Sequence, residues 1–506
     1  MTVLEKATSP ARAIRAGWID TAARSARACL AGALLAGLLA ACGSDNAPGR
    51  AGQLDKSFGV GTADGTPDGA VSASLGAGND TGRSVVVQPD GKIVIAGTTV
   101  AADGSTNISV ARFNADGTPD ASFGVGTADG TPDGAVGISL SSGNDAANGL
   151  ALQADGRILV VGTSTAANGS TNVAVARLTT AGALDATFGA GTADGTPDGV
   201  VGLNLSAGDD VGAAIRVQAD GKIVIAGTTT GEDNTHNMVV ARLNPDGSID
   251  ATFGAGTADG TPDGVAAVSL SNGDDVANAM ALQADGKILI AGTTTAADGS
   301  SNIVVARLNV NGTLDASFGV GTSDGTPDGA VSLSLSNGND VASAIAVQAD
   351  GRIVVAGTTV GSDSTTNIAV ARLTTTGALD ATFGVGTADG TPDGVVAISL
   401  GNGNDAATGL AIQADGRIVV VGVTTAADRT TNAGVARLNS DGSADGDFGA
   451  GTDDGTPNGS VGLSLSNGND GATGVALQAD GKIVIVGITR AADNSTNIAL
   501  ARLLAN

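Results

Sequence analysis

The 506-residue sequence has no tyrosine, one tryptophan, one histidine and two cysteines. Glu5 and Glu232 are its only glutamates. Each scarcity excludes something. Cys29 and Cys42 both precede the repeated region, so no disulfide can staple it. The lone His236, in the polar stretch GEDNTHN, cannot build a zinc cluster or a catalytic triad by itself. No Gly-x-Ser-x-Gly elbow comes with a histidine partner. Sugar and quinone sites usually stack ligands on aromatics, and here the supply is essentially eight Phe. Few Glu and Lys leave little material for solvated helix surfaces. No apolar run approaches the roughly 20 residues of a membrane-spanning helix.

What is present is aspartate and glycine. The chain has 51 acidic residues against 25 Lys and Arg. Without the first 41 residues, 49 acidic and 20 basic residues remain. That surplus argues against nucleic acid and anionic membrane surfaces as partners. It suits cations, basic proteins or plain solubility. Aspartate also suits turns, because its short carboxylate bonds nearby backbone N–H groups.

Residues 1–29 are basic on balance, and Leu30–Ala41 is a 12-residue apolar run. This reads as the apolar region of a signal peptide. It runs into Leu39-Ala40-Ala41-Cys42, which resembles the bacterial lipobox. The resemblance implies removal of residues 1–41 and lipidation of Cys42. Gly43 after the cysteine implies transport to the outer membrane. Residues 42–53 then read as a lipidated tether, with membrane contact through that anchor only.

The rest is one unit repeated. A Phe-Gly pair recurs at Phe58, Phe123, Phe188, Phe253, Phe318, Phe383 and Phe448, every 65 residues. A Gln-x-Asp-Gly turn recurs at the same interval from Gln88 to Gln478. Each unit offers four strands, as in Ser84–Gln88, Lys92–Thr98, Asn107–Phe113 and Ala135–Leu140. Pro89-Asp90-Gly91 makes the hairpin between the first two. The strands are apolar or small on both faces, as expected of sheets sandwiched between neighbours. The first copy begins with a spare fourth-type strand, Ala70–Leu75, and the last, ending after Asn497–Leu503, lacks one. Pairing them closes a ring and hides an edge. These features predict an all-β, seven-bladed β-propeller over 54–506, with four-stranded antiparallel blades. A β-solenoid would need polar caps, and a string of small domains would need self-sufficient 65-residue units; neither is evident.

LDASFGVG at Leu314–Gly321, VQADGRIVVAG at Val347–Gly357 and VARLN at Val305–Asn309 resemble the delta-60 repeat family of bacterial exported proteins. The resemblance covers 52–506, implies a propeller-like fold and brings no catalytic residues. The segment GTADGTPDG, as at Gly61–Gly69, is less typical of it.

Two aspartate sets and one arginine set are candidates for chemistry. Arg112, Arg177, Arg242, Arg307, Arg372, Arg437 and Arg502 each follow an alanine in the third strand. Asp120, Asp185, Asp250, Asp315, Asp380 and Asp445 follow them in the next loop, with Asp55 in the opening copy. Buried ion pairs are the favoured reading, over a ring of anion-binding arginines. Asp80, Asp145, Asp210, Asp275, Asp340, Asp405 and Asp470 end Gly-(Asn/Asp)-Asp loops before each first strand. They are candidate Ca²⁺ ligands around the channel mouth, since Ca²⁺ takes about 6–8 oxygens. Asp64–Asp68 is similar to the last half of the calcium loops in FG-GAP propellers, but Val60 and Thr62 occupy the two earlier ligand places. The alternative is that these aspartates satisfy turn backbones.

The expected function is a non-enzymatic, monomeric surface lipoprotein presenting loops to a protein or matrix ligand. The variable loops Gly231–Asn237 and Ala426–Thr431 are the expected specificity elements. A calcium-binding surface module is the alternative; a metal-dependent hydrolase or lactonase in the channel is less supported.

Overall fold

The computed structural model describes residues 49–505 except 60–65, 67–68, 77, 125–133, 142, 167, 190–197, 232, 255–263, 321–324, 327, 337, 362–363, 385–393, 402, 427, 450–458, 467 and 492. The signal segment, Cys42 and, apart from Thr66, the Asp64–Asp68 motif lie outside the described residues.

Twenty-eight strands form seven four-stranded antiparallel sheets, with no helix among the described residues. Blade I has Asp80–Val87 as its inner strand, then Ile93–Val100, Thr106–Phe113 and the short outer strand Ala135–Ile138. Blades II to VI repeat it. Blade VII takes three strands from the C-terminal end, Gly471–Leu477, Ile483–Arg490 and Thr496–Leu503. Its outer strand is Ala70–Ala73, antiparallel to the third with Ala70 opposite Ala501. The chain is therefore a seven-bladed propeller closed by its N-terminal strand.

Local chemistry makes each hairpin. Gln88 N–H donates to Lys92 O at 2.7 Å, and Gly91 N–H returns to Gln88 O at 2.9 Å. Asp90 Oδ1 accepts from Lys92 N–H at 3.1 Å, so the Asp-Gly pair supplies both the cap and the left-handed corner.

Packing makes the ring. Successive side chains of a strand point to opposite faces. Ile93 and Ile95 pack on blade VII residues such as Val484 and Leu500. Val94 and Ala96, between and beside them, pack on blade II residues such as Ile158 and Val160. Every blade interface holds one such apolar cluster, seven in all. Burying a side chain of this size contributes about 1.5–3 kcal/mol.

Two features differ from the sequence expectation. The inner strand begins at Asp80, four residues earlier than the apolar run, and carries a β-bulge. Gly82 pairs with Gly97, and the next pair is Ser84 with Ala96, leaving Arg83 outside the ladder. A bulge re-aims the residue it displaces. Position 83 and its equivalents consequently line the ring's centre. The bulge also dictates the opposing glycine. A Cβ on Gly97 would sit 1.8 Å from Thr81 O. Second, residues 49–53, expected in the tether, belong to the propeller body. Ala51 is buried against blade VII. Gly52 N–H donates to Leu504 O at 2.9 Å, as Gly442 N–H does to Asn439 O one blade earlier. The final turn is thus assembled from both ends of the repeat region, which no single copy could display.

Gly97→Ala is expected to destabilise by at least about 2 kcal/mol, because the added methyl meets backbone that cannot yield. Denaturant unfolding checks it; an unchanged midpoint would show that the bulge is not fixed.

Candidate functional site

Four places concentrate polar side chains: the arginine clusters, the aspartates ahead of the inner strands, the loop tips, and the central channel.

Arg307 shows the first. Its third-strand backbone points the side chain between blades, where Arg307 Nε donates to Asp315 Oδ2 at 2.7 Å. Its Nη1 donates to Thr375 O of the next blade at 2.6 Å, and Nη2 to Ser317 Oγ at 3.2 Å. The guanidinium carbon lies 4.5 Å from the centre of the Phe318 ring. All seven arginines keep the Asp contact at 2.7–2.9 Å. Both partners are at most 6 % exposed in every blade. At the closure, Arg502 comes from one end of the repeat region while Asp55, Ser57 and Phe58 come from the other. The clusters are clamps rather than a ligand ring, since their donors are committed to carboxylate and the neighbouring blade.

Each of these aspartates also receives a second cation that sequence reasoning did not pair with it. Lys287 Nζ is 2.8 Å from Asp315 Oδ2, and Arg157 Nε is 2.8 Å from Asp185 Oδ2. The signal was available: every copy has Lys or Arg directly after its Asp-Gly turn. Burial raises the Asp55 pKa, but Ser57 hydrogen bonds, Arg502 and Lys482 outweigh it and lower it from 3.8 to about 2. The same contest, with the same winner, holds Asp120, Asp250 and Asp315 below the usual carboxylate range.

Asp80, Asp145, Asp210, Asp275, Asp340, Asp405 and Asp470 are fully buried, at 0 % exposure. Each Oδ2 accepts from the N–H of the leucine five residues earlier at 2.6–2.8 Å. In blade III, Oδ1 of Asp210 accepts from Thr229 Oγ1 at 2.6 Å and Ser206 Oγ at 2.8 Å. The carboxylates tie each connection to the strand that follows. Gly76 and Gly401 replace that serine in two blades, where Asp80 Oδ1 and Asp405 Oδ1 have no hydrogen-bond partner among the described residues. Among the described residues no three His, Cys, Asp or Glu side chains gather as a metal-holding group.

The loops between second and third strands are exposed at their tips. In blade I, Asp103 Oδ1 accepts from Ser105 N–H at 2.9 Å, and Gly104 takes the left-handed corner at φ 89°. Asn234, Ser364, Arg429 and Asn494 hold that same corner elsewhere, at φ 62–71°. Asn tolerates this conformation, whereas for Ser and Arg it costs about 1–2 kcal/mol. In blade III, His236 Nδ1 lies 3.0 Å from Asp274 Oδ1 on the surface.

The inner strands of all seven blades enclose a central channel of about 490 Å³. Its lining is mostly Ala, Gly, Val, Leu and Ile with Asn, Ser and Thr; Arg83 and Arg216 are its charged residues. Several of its polar groups staple blades together: Asn148 Nδ2 donates to Gly212 O and Thr473 Oγ1 to Gly82 O.

Seven segments, 88–123, 153–188, 218–253, 283–318, 348–383, 413–448 and 478–506, match the family model described as "Domain of unknown function (DUF5122) beta-propeller". These matches support a repeat-based β-propeller family. No curated protein matches it. It is similar in fold to a protein of unknown function from Dyadobacter fermentans, at 10 % identity and TM-score 0.38, over 87 % of this chain and 100 % of that one. An ulvan lyase aligns at 10 % identity and TM-score 0.43, over 85 % and 95 %. Drosophila Semaphorin 2a aligns at 8 % and 0.44, over 86 % and 75 %.

Arg307→Ala should cost about 3–5 kcal/mol, because Asp315 is left buried with only Lys287 beside it; an unchanged melting temperature would refute the clamp. The depressed carboxyls add stability that is complete above pH about 4 and disappears as pH falls through their native values. Acid titration by circular dichroism should therefore show full stability at pH 5 and a steep loss toward pH about 2. A loss centred near pH 6 would contradict the assignment.

Proposed function

We propose that this chain is a lipid-anchored cell-surface propeller, held through Cys42, that serves as a non-enzymatic scaffold for a protein or matrix ligand. One observation carries the reading. The repeated charged groups are consumed by the fold, while the exposed loops between second and third strands differ from blade to blade. Two of those tips keep Ser364 and Arg429 at a backbone corner that glycine occupies in blades I, II and IV. Strain retained at an exposed side chain points to use of that side chain. Extracellular presentation also fits a fold that needs no disulfide, because its core is continuous around the ring.

The test combines stability and binding. Arg429→Gly is expected to raise unfolding free energy by about 1 kcal/mol. Under the scaffold reading it also weakens adhesion of the purified protein to extracellular matrix from the producing cells. Unchanged adhesion for Arg429→Gly and Ser364→Gly together would overturn the assignment to these loops. A melting temperature that falls with EDTA would instead favour a calcium-dependent module.

A further inference from the structure

The central channel contains a contradiction in charge. The chain is strongly acidic, yet no residue lining the channel is acidic and two are arginines. Fourteen of the basic side chains beyond residue 48 meet a carboxylate. Arg83 and Arg216 meet none among the described residues. Arg216 Nη1 donates to Ile215 O at 2.8 Å, and no other partner is found for it among those residues. Its side chain is exposed within the channel, as is that of Arg83. A guanidinium left without a carboxylate and open to the channel's solvent is available to an incoming counter-charge.

The two arginines also break the repeat. The five equivalents of Arg216 in blades II and IV to VII are alanines, Ala151, Ala281, Ala346, Ala411 and Ala476, and blade I has Val86. Arg83 stands where other blades place short residues such as Asn148, Asn278, Thr408 and Thr473. Those side chains staple neighbouring blades, as Asn148 and Thr473 do; no staple is found for Arg83 among the described residues. Neither arginine is required by the fold that the other copies build without it. The bulge turns position 83 inward, and Arg216 lies three positions further along its own strand than the blade III equivalent of Arg83. Two guanidinium forks are thereby offered at two levels of one cavity.

We propose that the channel is a binding site for a small organic anion bearing carboxylate or phosphate groups, held by Arg216 and Arg83. A guanidinium presents paired N–H donors that match either oxyanion. A volume of about 490 Å³ suits a small molecule, and Asn, Ser and Thr side chains in the lining add hydrogen-bonding groups beside the two arginines. The site is independent of the loop-tip scaffold and stands or falls separately from it.

The repeat itself supplies safe variants. Arg216→Ala and Arg83→Asn install residues that other blades already carry at those positions. Isothermal titration of the full chain with citrate and with inorganic phosphate, in low-salt buffer, tests the site. One citrate is expected per chain, binding weaker by at least about ten-fold in Arg216→Ala and undetectable in the double variant. Melting temperatures without ligand should stay equal, since both side chains are exposed and the other blades fold without them. Arg429→Gly should leave citrate binding intact, which separates this site from the loop tips. Failure of both anions to bind the wild-type chain, or equal binding to the double variant, would overturn the proposal.

Discussion

A four-stranded sheet that is apolar on both faces has no surface it can leave to water. Ile93 and Ile95 need a neighbour on one side, and Val94 and Ala96 need one on the other. Each added blade meets its own demand and creates a new one. Only a ring ends the series. The 65-residue unit therefore has no stable solitary form to fall back on, and its stability belongs to the interfaces. The arginine clamps follow the same logic. Each reaches across to a backbone carbonyl of the next blade, so charge and apolar packing reinforce one direction of travel around the ring.

Much of this was legible before any coordinates. The constant spacing, the two apolar faces and the spare strand at Ala70 led to seven blades and to their closure. The buried Arg–Asp geometry followed from a fixed offset of eight residues. The bulge was not legible, because Asp80–Arg83 is polar or small and carries no strand periodicity. Nor was the second cation on each aspartate, since Lys287 and Asp315 meet across two strands, not along one. Leu504, Ala505, Ala51 and Gly52 could not be recognised as one turn, because the motif is cut between the two ends of the repeat region. The Gly-Asn-Asp aspartates had a ligand-like pattern, but only three dimensions reveal that a leucine N–H already occupies each of them and that two hydroxyls join it at Asp210, Asp275, Asp340 and Asp470.

Repetition also changes where information about function can lie. Seven near-copies of a clamp describe a structure, because each does the same job for its interface. Among the positions that distinguish one blade from another are the loop tips at Ser364 and Arg429 and the channel residues Arg83 and Arg216. These depart from their six counterparts in ways that no interface requires. In a symmetric protein the exception is the informative residue.

The divided final blade has a temporal meaning. Arg502 and Asp55 are 447 positions apart in the chain, and their contact can form only when both ends of the repeat region are present. Until then the nascent chain is an open arc with one unsatisfied face at each end. The seam thus works as a check on length: a chain that stops one repeat early can neither latch nor hide its edges. Such a product would leave an apolar blade face and a strand edge exposed to proteases.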